Sequence, residues 1–197
     1  MFKNKIQTFI LLGILGFLAF TISIFQRTLK VEPLPVYGKV SDFHLYDSSG
    51  REFSLKNLQN KIWVADFIFT TCGGICPVMT KNLAALHRSF LPLEGIEIVS
   101  ISVNPENDTP QVLAKFAKKY NADTNKWHFL TGPRKEIKTL AVESFRLGSV
   151  DEPIFHSDRF VLVDARARIR GYYDGTQQKS LNALFKDMAN LMKEKNK

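Results

Sequence analysis

Cys72 and Cys76 are the only two cysteines in the 197-residue chain, and three residues separate them in TTCGGICPVMT. A thiolate is both a nucleophile and a soft metal ligand, so a pair this close either shares a metal ion or closes a disulfide. Pro77 is tolerated only in a first helical turn, so a helix begins near Cys76. The free N–H groups and positive dipole end of that helix would support a thiolate. Gly73 and Gly74 read as letting the loop turn without Cβ crowding. Two sulfurs held this way suit Cu(I) and would also accept zinc. The bland alternatives are a structural disulfide in an exported domain, or two buried free thiols. The preceding run IWVADFIFT weighs against them. It reads as a strand buried on both faces, and open α/β sheets place ligands at the carboxyl ends of such strands.

Two thiols make an incomplete metal site. The further candidates are His44, His87, His128, His156 and Met79. His87 follows Cys76 on the same predicted helix, about 16 Å along its axis, too far to share an ion. His44 and His128 alternate in strands and read as strand-edge or surface residues. Met79 falls one turn into the helix and reads as packing. His156 opens HSDRFVLVD, at the start of a predicted strand and just after GSVDEP. The residues alone leave it open as a ligand or an ordinary strand-start histidine. A four-ligand structural zinc site is disfavoured, since only three good donors can be assembled.

The elements that must position these residues are legible in the pattern. FHLYDSSGREFSL reads as a hairpin around Asp47-Ser48-Ser49-Gly50, followed by a short helical turn, LKNLQNK. After IWVADFIFT, the segment VMTKNLAALHRSF carries helical apolar spacing. IEIVSISV is a second buried strand. Asp108 or Thr109 can cap the next helix, PQVLAKFAKKY, with Pro110 in its first turn. WHFLTG reads as a strand and RKEIKTLAVESF as a helix. FHSDRFVLVD and RIRGYYDG form a second hairpin across Ala165–Arg168. SLNALFKDMANLMKEKN closes the chain as a helix, with Ser180 as its cap. Alternating strands and helices predict an α/β fold, a mixed sheet covered on both faces.

The 45% apolar and 23% charged content supports a packed core. From Ile6 to Phe25 no charge interrupts twenty residues. About 20 apolar residues cross a hydrocarbon core, so residues 1–29 read as an uncleaved membrane anchor with an N-terminal transmembrane helix. Residues 30–39, with two prolines and a glycine, read as a stiff linker, and 40–197 as the domain. The formal net charge is +8, of which Lys3, Lys5, Arg27 and Lys30 against Glu32 supply +3 in the first 32 residues. The other basic residues are scattered, apart from Lys186, Lys193, Lys195 and Lys197 at the end. That disfavours nucleic acid and suits an acidic protein partner or a bilayer surface.

FTTCGGICPVMT, SVNPENDTP and HSDRFVLVD, in this order and spacing over roughly residues 36–190, resemble the Sco/SenC family. These are membrane-anchored, thioredoxin-like copper chaperones for cytochrome c oxidase. The resemblance implies a thioredoxin-like mixed sheet flanked by helices, with the domain facing the periplasm or extracytoplasmic space. It implies one copper ion per chain, held by Cys72, Cys76 and His156. It implies delivery to the CuA site of oxidase subunit II, or to another copper protein. A second implied role is thiol–disulfide reduction of that partner's cysteines, using Cys72 and Cys76 as a redox pair. The chain departs from the family where S-V-D-P usually stands: Asn104 replaces the aspartate four residues before Asp108. A partner contact by Asn104 and Asp108 is one reading; a turn and helix cap is the other. A thioredoxin-like peroxidase is disfavoured, because Phe67–Thr71 contains no proline.

Overall fold

The computed structural model describes residues 33–148 and 157–195, with isolated helical positions at 13, 16–18, 20 and 21. The chain divides into two units, Met1–Pro33 and Leu34–Lys197. Among the described residues no helix is long and apolar enough to cross a membrane. Most of the span expected over Ile6–Phe25 lies outside the described residues.

The second unit is built from β1 (Gly38–Lys39), β2 (His44–Asp47), β3 (Glu52–Ser54), a 3-10 turn (Leu55–Leu58), β4 (Ile62–Ile68) and α1 (Cys76–Phe90). There follow β5 (Ile96–Ser102), α2 (Pro110–Lys119), β6 (Trp127–Thr131), α3 (Arg134–Thr139), a π turn (Leu140–Ser144), β7 (Arg159–Val163), β8 (Arg168–Asp174) and α4 (Gln178–Lys195). The strands form one sheet in the order β1-β8-β7-β4-β5-β6-β2-β3. β4, β5 and β6 are parallel neighbours, and the other pairings are antiparallel. This is the expected mixed α/β sheet with helices on both faces.

The buried centre explains the pattern. Every residue of β4 and β5 is buried, because helices cover both faces of the parallel core. Side chains alternate across the sheet. Ile62, Val64 and Ile68 pack with Met79 and Leu83 of α1, Leu113 of α2 and Leu184 and Met188 of α4. Trp63, Ala65 and Phe67 pack on the other face with Ile137, Leu140 and Phe145, beside Phe43, Leu45 and Phe53 of the first hairpin region.

The structure differs from the sequence pattern in three places. The helix expected over RKEIKTLAVESF is α-helical only to Thr139 and widens into the π turn. Ser180 does not cap α4; it lies inside the helix, and its hydroxyl accepts the Asp174 N–H at 2.8 Å. Residues 34–39, assigned to the linker by composition, are held against the domain. Gly38 and Lys39 pair with Ile169 and Arg168. The guanidinium of Arg170, 3% exposed, donates to the carbonyls of Leu34 at 2.7 Å and Pro35 at 3.1 Å. It also pairs with Asp164 at 2.8 Å and Glu194 at 3.2 Å. Prolines gave this stretch the look of a spacer, while its partners lie far along the chain.

Candidate functional site

β4 delivers the chain to the cysteines. After Ile68 it turns, and the Cys72 N–H donates to the Phe69 carbonyl at 3.2 Å. Ile75, helical at φ −78° and ψ −28°, precedes α1 and offers no side-chain cap. The amides of that unfilled helix start are therefore available to the Cys72 sulfur. Pro77 sits in the first turn of α1, as expected. Neither Gly73 nor Gly74 has a left-handed φ. A Cβ on Gly73 would meet nothing within 4 Å, and one on Gly74 would sit 3.8 Å from the Cys72 sulfur. Tight turning does not require glycine here.

The two cysteines are free thiols in unlike surroundings: Cys72 is half-buried and Cys76 is buried. Burial alone would raise the Cys72 pKa, but the Cys76 thiol and the backbone N–H groups of Cys76, Gly74 and Ile75 outweigh it, holding Cys72 below the ordinary thiol value. Burial pushes Cys76 up to about 12, helped by its hydrogen bond to Cys72 and by the charges of Cys72 and Asp66. The accessible sulfur therefore gives up its proton more readily than the buried one. Two soft donors with this arrangement fit a Cu(I) ion.

Asp66 was not singled out by the sequence reading, although a lone aspartate inside IWVADFIFT was the signal. It is 0% exposed, and burial raises its pKa to about 7 despite the hydrogen bond from Ser100. The Ser100 hydroxyl donates to Oδ1 at 2.5 Å, and Trp127 Nε1 donates to Ser100 Oγ at 2.9 Å. Oδ2 has no hydrogen-bond partner among the described residues.

Asp108 is also 0% exposed. Its carboxylate accepts the Thr70 N–H at 3.0 Å, the Thr70 hydroxyl at 2.5 Å, the Ser102 hydroxyl at 2.6 Å and the Asn107 amide at 3.0 Å. Its oxygens are turned into the domain. Asn104 closes the turn: its carbonyl accepts the N–H groups of Asn107 and Asp108 at 3.1 and 2.9 Å. Thr109 caps α2, accepting the Val112 N–H at 3.4 Å.

His156 lies outside the described residues. The chain just beyond it is placed. β7 runs antiparallel to β4, with Val161 opposite Ala65, so Arg159 lies at the end of β4 from which the cysteine loop departs. The Asp158 carbonyl accepts the Gly175 N–H at 2.7 Å, and Asn82 of α1 donates to the Gly175 carbonyl at 2.8 Å. The approach is close: a Cβ on Gly175 would fall 2.9 Å from Phe160 Cζ and 3.0 Å from Met79 Cε.

The other candidates stand apart. Met79 is packed in the core. His87 is buried, and its Nε2 accepts the Asp123 N–H at 3.1 Å. His128 is mostly buried and pairs with Glu97, which also binds Lys61 at 2.5 Å. His44 is exposed. Among the described residues, no group of three or more His, Cys, Asp or Glu side chains could hold a metal ion.

A strand-to-helix loop carrying two unequal thiols, on a mixed sheet sandwiched by helices, is the arrangement of a thioredoxin-like protein. The SCO1/SenC family model matches residues 34–193, and the chain belongs to that family. It is 34% identical over 161 residues to the SCO1 protein homolog of Bacillus subtilis (strain 168), covering 78% of this chain and 83% of the relative. It is similar, at 32% identity and TM-score 0.72, to BsSco, a member of the Sco family of cytochrome c oxidase assembly proteins in which a disulfide switch was identified. That likeness covers 83% of this chain and 98% of BsSco. Arabidopsis thaliana ScoI, solved with copper bound, aligns at TM-score 0.66 and 26% identity, over 80% of this chain and 99% of its own.

Proposed function

We propose that this protein is a copper metallochaperone, anchored in the cell inner membrane by residues 6–25 with its domain on the extracytoplasmic side. One Cu(I) is carried per chain by the sulfurs of Cys72 and Cys76 and the imidazole of His156. The cargo passes to the CuA site of oxidase subunit II, or to another copper protein. The observation that carries this reading is the convergence at one end of the sheet: the cysteine loop leaves β4 where the chain arrives from His156 into β7. Copper-bound ScoI supports the choice of metal. Three donors leave the ion open to an incoming ligand, so transfer can proceed by exchange. Asn104, at the head of the turn beside the site, is the residue for partner contact, with Asp108 acting through the loop it holds.

A second reading rests on the inequality of the thiols. Cys72, low in pKa and accessible, attacks one sulfur of a partner disulfide and displaces the other as a thiolate. Cys76 then gives its proton to solvent and attacks Cys72, releasing the partner's second thiolate. Two electrons move to the partner, and a Cys72–Cys76 disulfide remains. The disulfide switch in BsSco favours this chemistry.

His156→Ala separates the two. Loss of a donor should lower Cu(I) affinity by at least about tenfold, while the Cys72–Cys76 disulfide still forms and is still reduced by dithiols. Lost oxidase assembly, rescued by excess copper, supports delivery. Normal assembly at limiting copper, with the variant shown copper-free, leaves thiol reduction as the function.

A further inference from the structure

The end of the sheet opposite the cysteines carries a charged surface that copper chemistry does not use. Trp63 pairs with Val163, so the turn after β7 and the 3-10 turn before β4 both lie where β4 begins. The seven residues of β4 rise about 20 Å, which separates this end from the cysteine loop. Between the two turns opens a depression of about 510 Å³ whose lining includes Lys39, Asp42, Lys56, Gln59 and Arg166. Lys39, Lys56 and Arg166 are exposed, and none of them enters an ion pair among the described residues. The nearby acids are mostly spent. Asp164 is held by Arg168 and Arg170, Glu194 by Arg170 and Glu97 by Lys61. Asp42, exposed and 3.9 Å from His44, is the carboxylate in the lining.

The start of the domain is held at the same end. Arg170, tied to Asp164, grips the carbonyls of Leu34 and Pro35. Residues 26–33 then separate this grip from Phe25. Even fully extended they reach about 28 Å.

We infer that this basic end rests on the anionic phospholipid headgroups of the bilayer, with phosphodiesters drawn to Lys39, Lys56 and Arg166. The inference rests on the reading of residues 6–25 as a membrane span. A basic side chain near an anionic leaflet contributes about fivefold to association. The attraction decays within about 8 Å at physiological salt; a tether of at most about 28 Å confines the domain near the bilayer, so the surfaces meet often and the charges then hold the contact. In this pose the cysteines point away from the membrane, toward the domain of an incoming partner.

The test uses the full chain in lipid nanodiscs, either phosphatidylcholine alone or phosphatidylcholine with phosphatidylglycerol, followed by hydrogen–deuterium exchange. Size-exclusion chromatography first reports incorporation. Slower exchange over residues 54–59 and 164–168 in the anionic discs only, with residues 72–80 unchanged, is the expected result. Lys56→Glu with Arg166→Glu should weaken that association by at least about 25-fold and abolish the protection, leaving copper binding intact. Equal exchange in both discs, or protection that survives the double charge reversal, overturns the proposal. Equal protection by inorganic phosphate in neutral discs marks a small-anion site and overturns it too. A chain that enters neither disc overturns the membrane span, and this surface role with it.

Discussion

Asp108 holds Thr70 twice, accepting its backbone N–H at 3.0 Å and its hydroxyl at 2.5 Å. Thr70 stands two residues before Cys72, and Ser102 at the end of β5 donates to the same carboxylate at 2.6 Å. The cysteine loop is therefore tied to the neighbouring strand and to the start of α2 by one buried side chain. Asp108→Ala should destabilise the domain by about 2–4 kcal/mol, because buried donors are left unsatisfied. Urea denaturation measures this. The Cys72 thiol should also rise in pKa as its loop loosens, read by the pH dependence of alkylation. An unchanged thiol pKa in a folded variant would show that the tie does not shape the site.

The unequal thiols make a kinetic prediction. With Cys72 held below the ordinary thiol value and Cys76 pushed up to about 12, iodoacetamide near pH 7.5 should modify Cys72 at least about tenfold faster. Mass spectrometry of tryptic peptides distinguishes them. Similar rates at both positions would remove the basis for assigning Cys72 as the attacking sulfur.

Asp66 sets a pH dependence with a definite sign. Its pKa is raised by burial from 3.8 to about 7, so between those values the folded protein keeps a proton that the unfolded chain releases. Stability contributed by this group falls as pH rises through that window. Asp66→Asn should flatten the fall: little change near pH 4, and a gain of at most about 4 kcal/mol near pH 8. Thermal melts at the two pH values check it, and an equal shift at both would contradict it.

Arg170 joins Asp164 and Glu194 to the carbonyls of Leu34 and Pro35. Arg170→Ala leaves buried acceptors unpaired and should cost about 3 kcal/mol. Residues 34–40 should then become open to proteolysis before the rest of the domain unfolds. Cleavage there at the wild-type rate would mean that pairing with β8 alone holds the segment.

The sequence by itself determined the elements and the reactive pair. Alternating or continuous apolar runs placed β2 to β8, and helical spacing placed α1, α2 and α4, because burial of an apolar face imposes a local pattern. Pro77 after Cys76 fixed a helix start behind a buried strand, which is enough to recognise a supported thiol. The tertiary structure decided what depends on distant partners. Asp108 turns inward because Thr70, on the far side of α1 and β5 in the chain, offers two donors that join the one from nearby Ser102. Residues 34–39 join the sheet because β8 presents Ile169 and Arg168 as partners. The thiols differ because β4 and the helices bury Cys76 beside Asp66 while leaving Cys72 at the rim. Hydrogen bonds and desolvation act through space, and no local pattern in the chain records which side chains will meet.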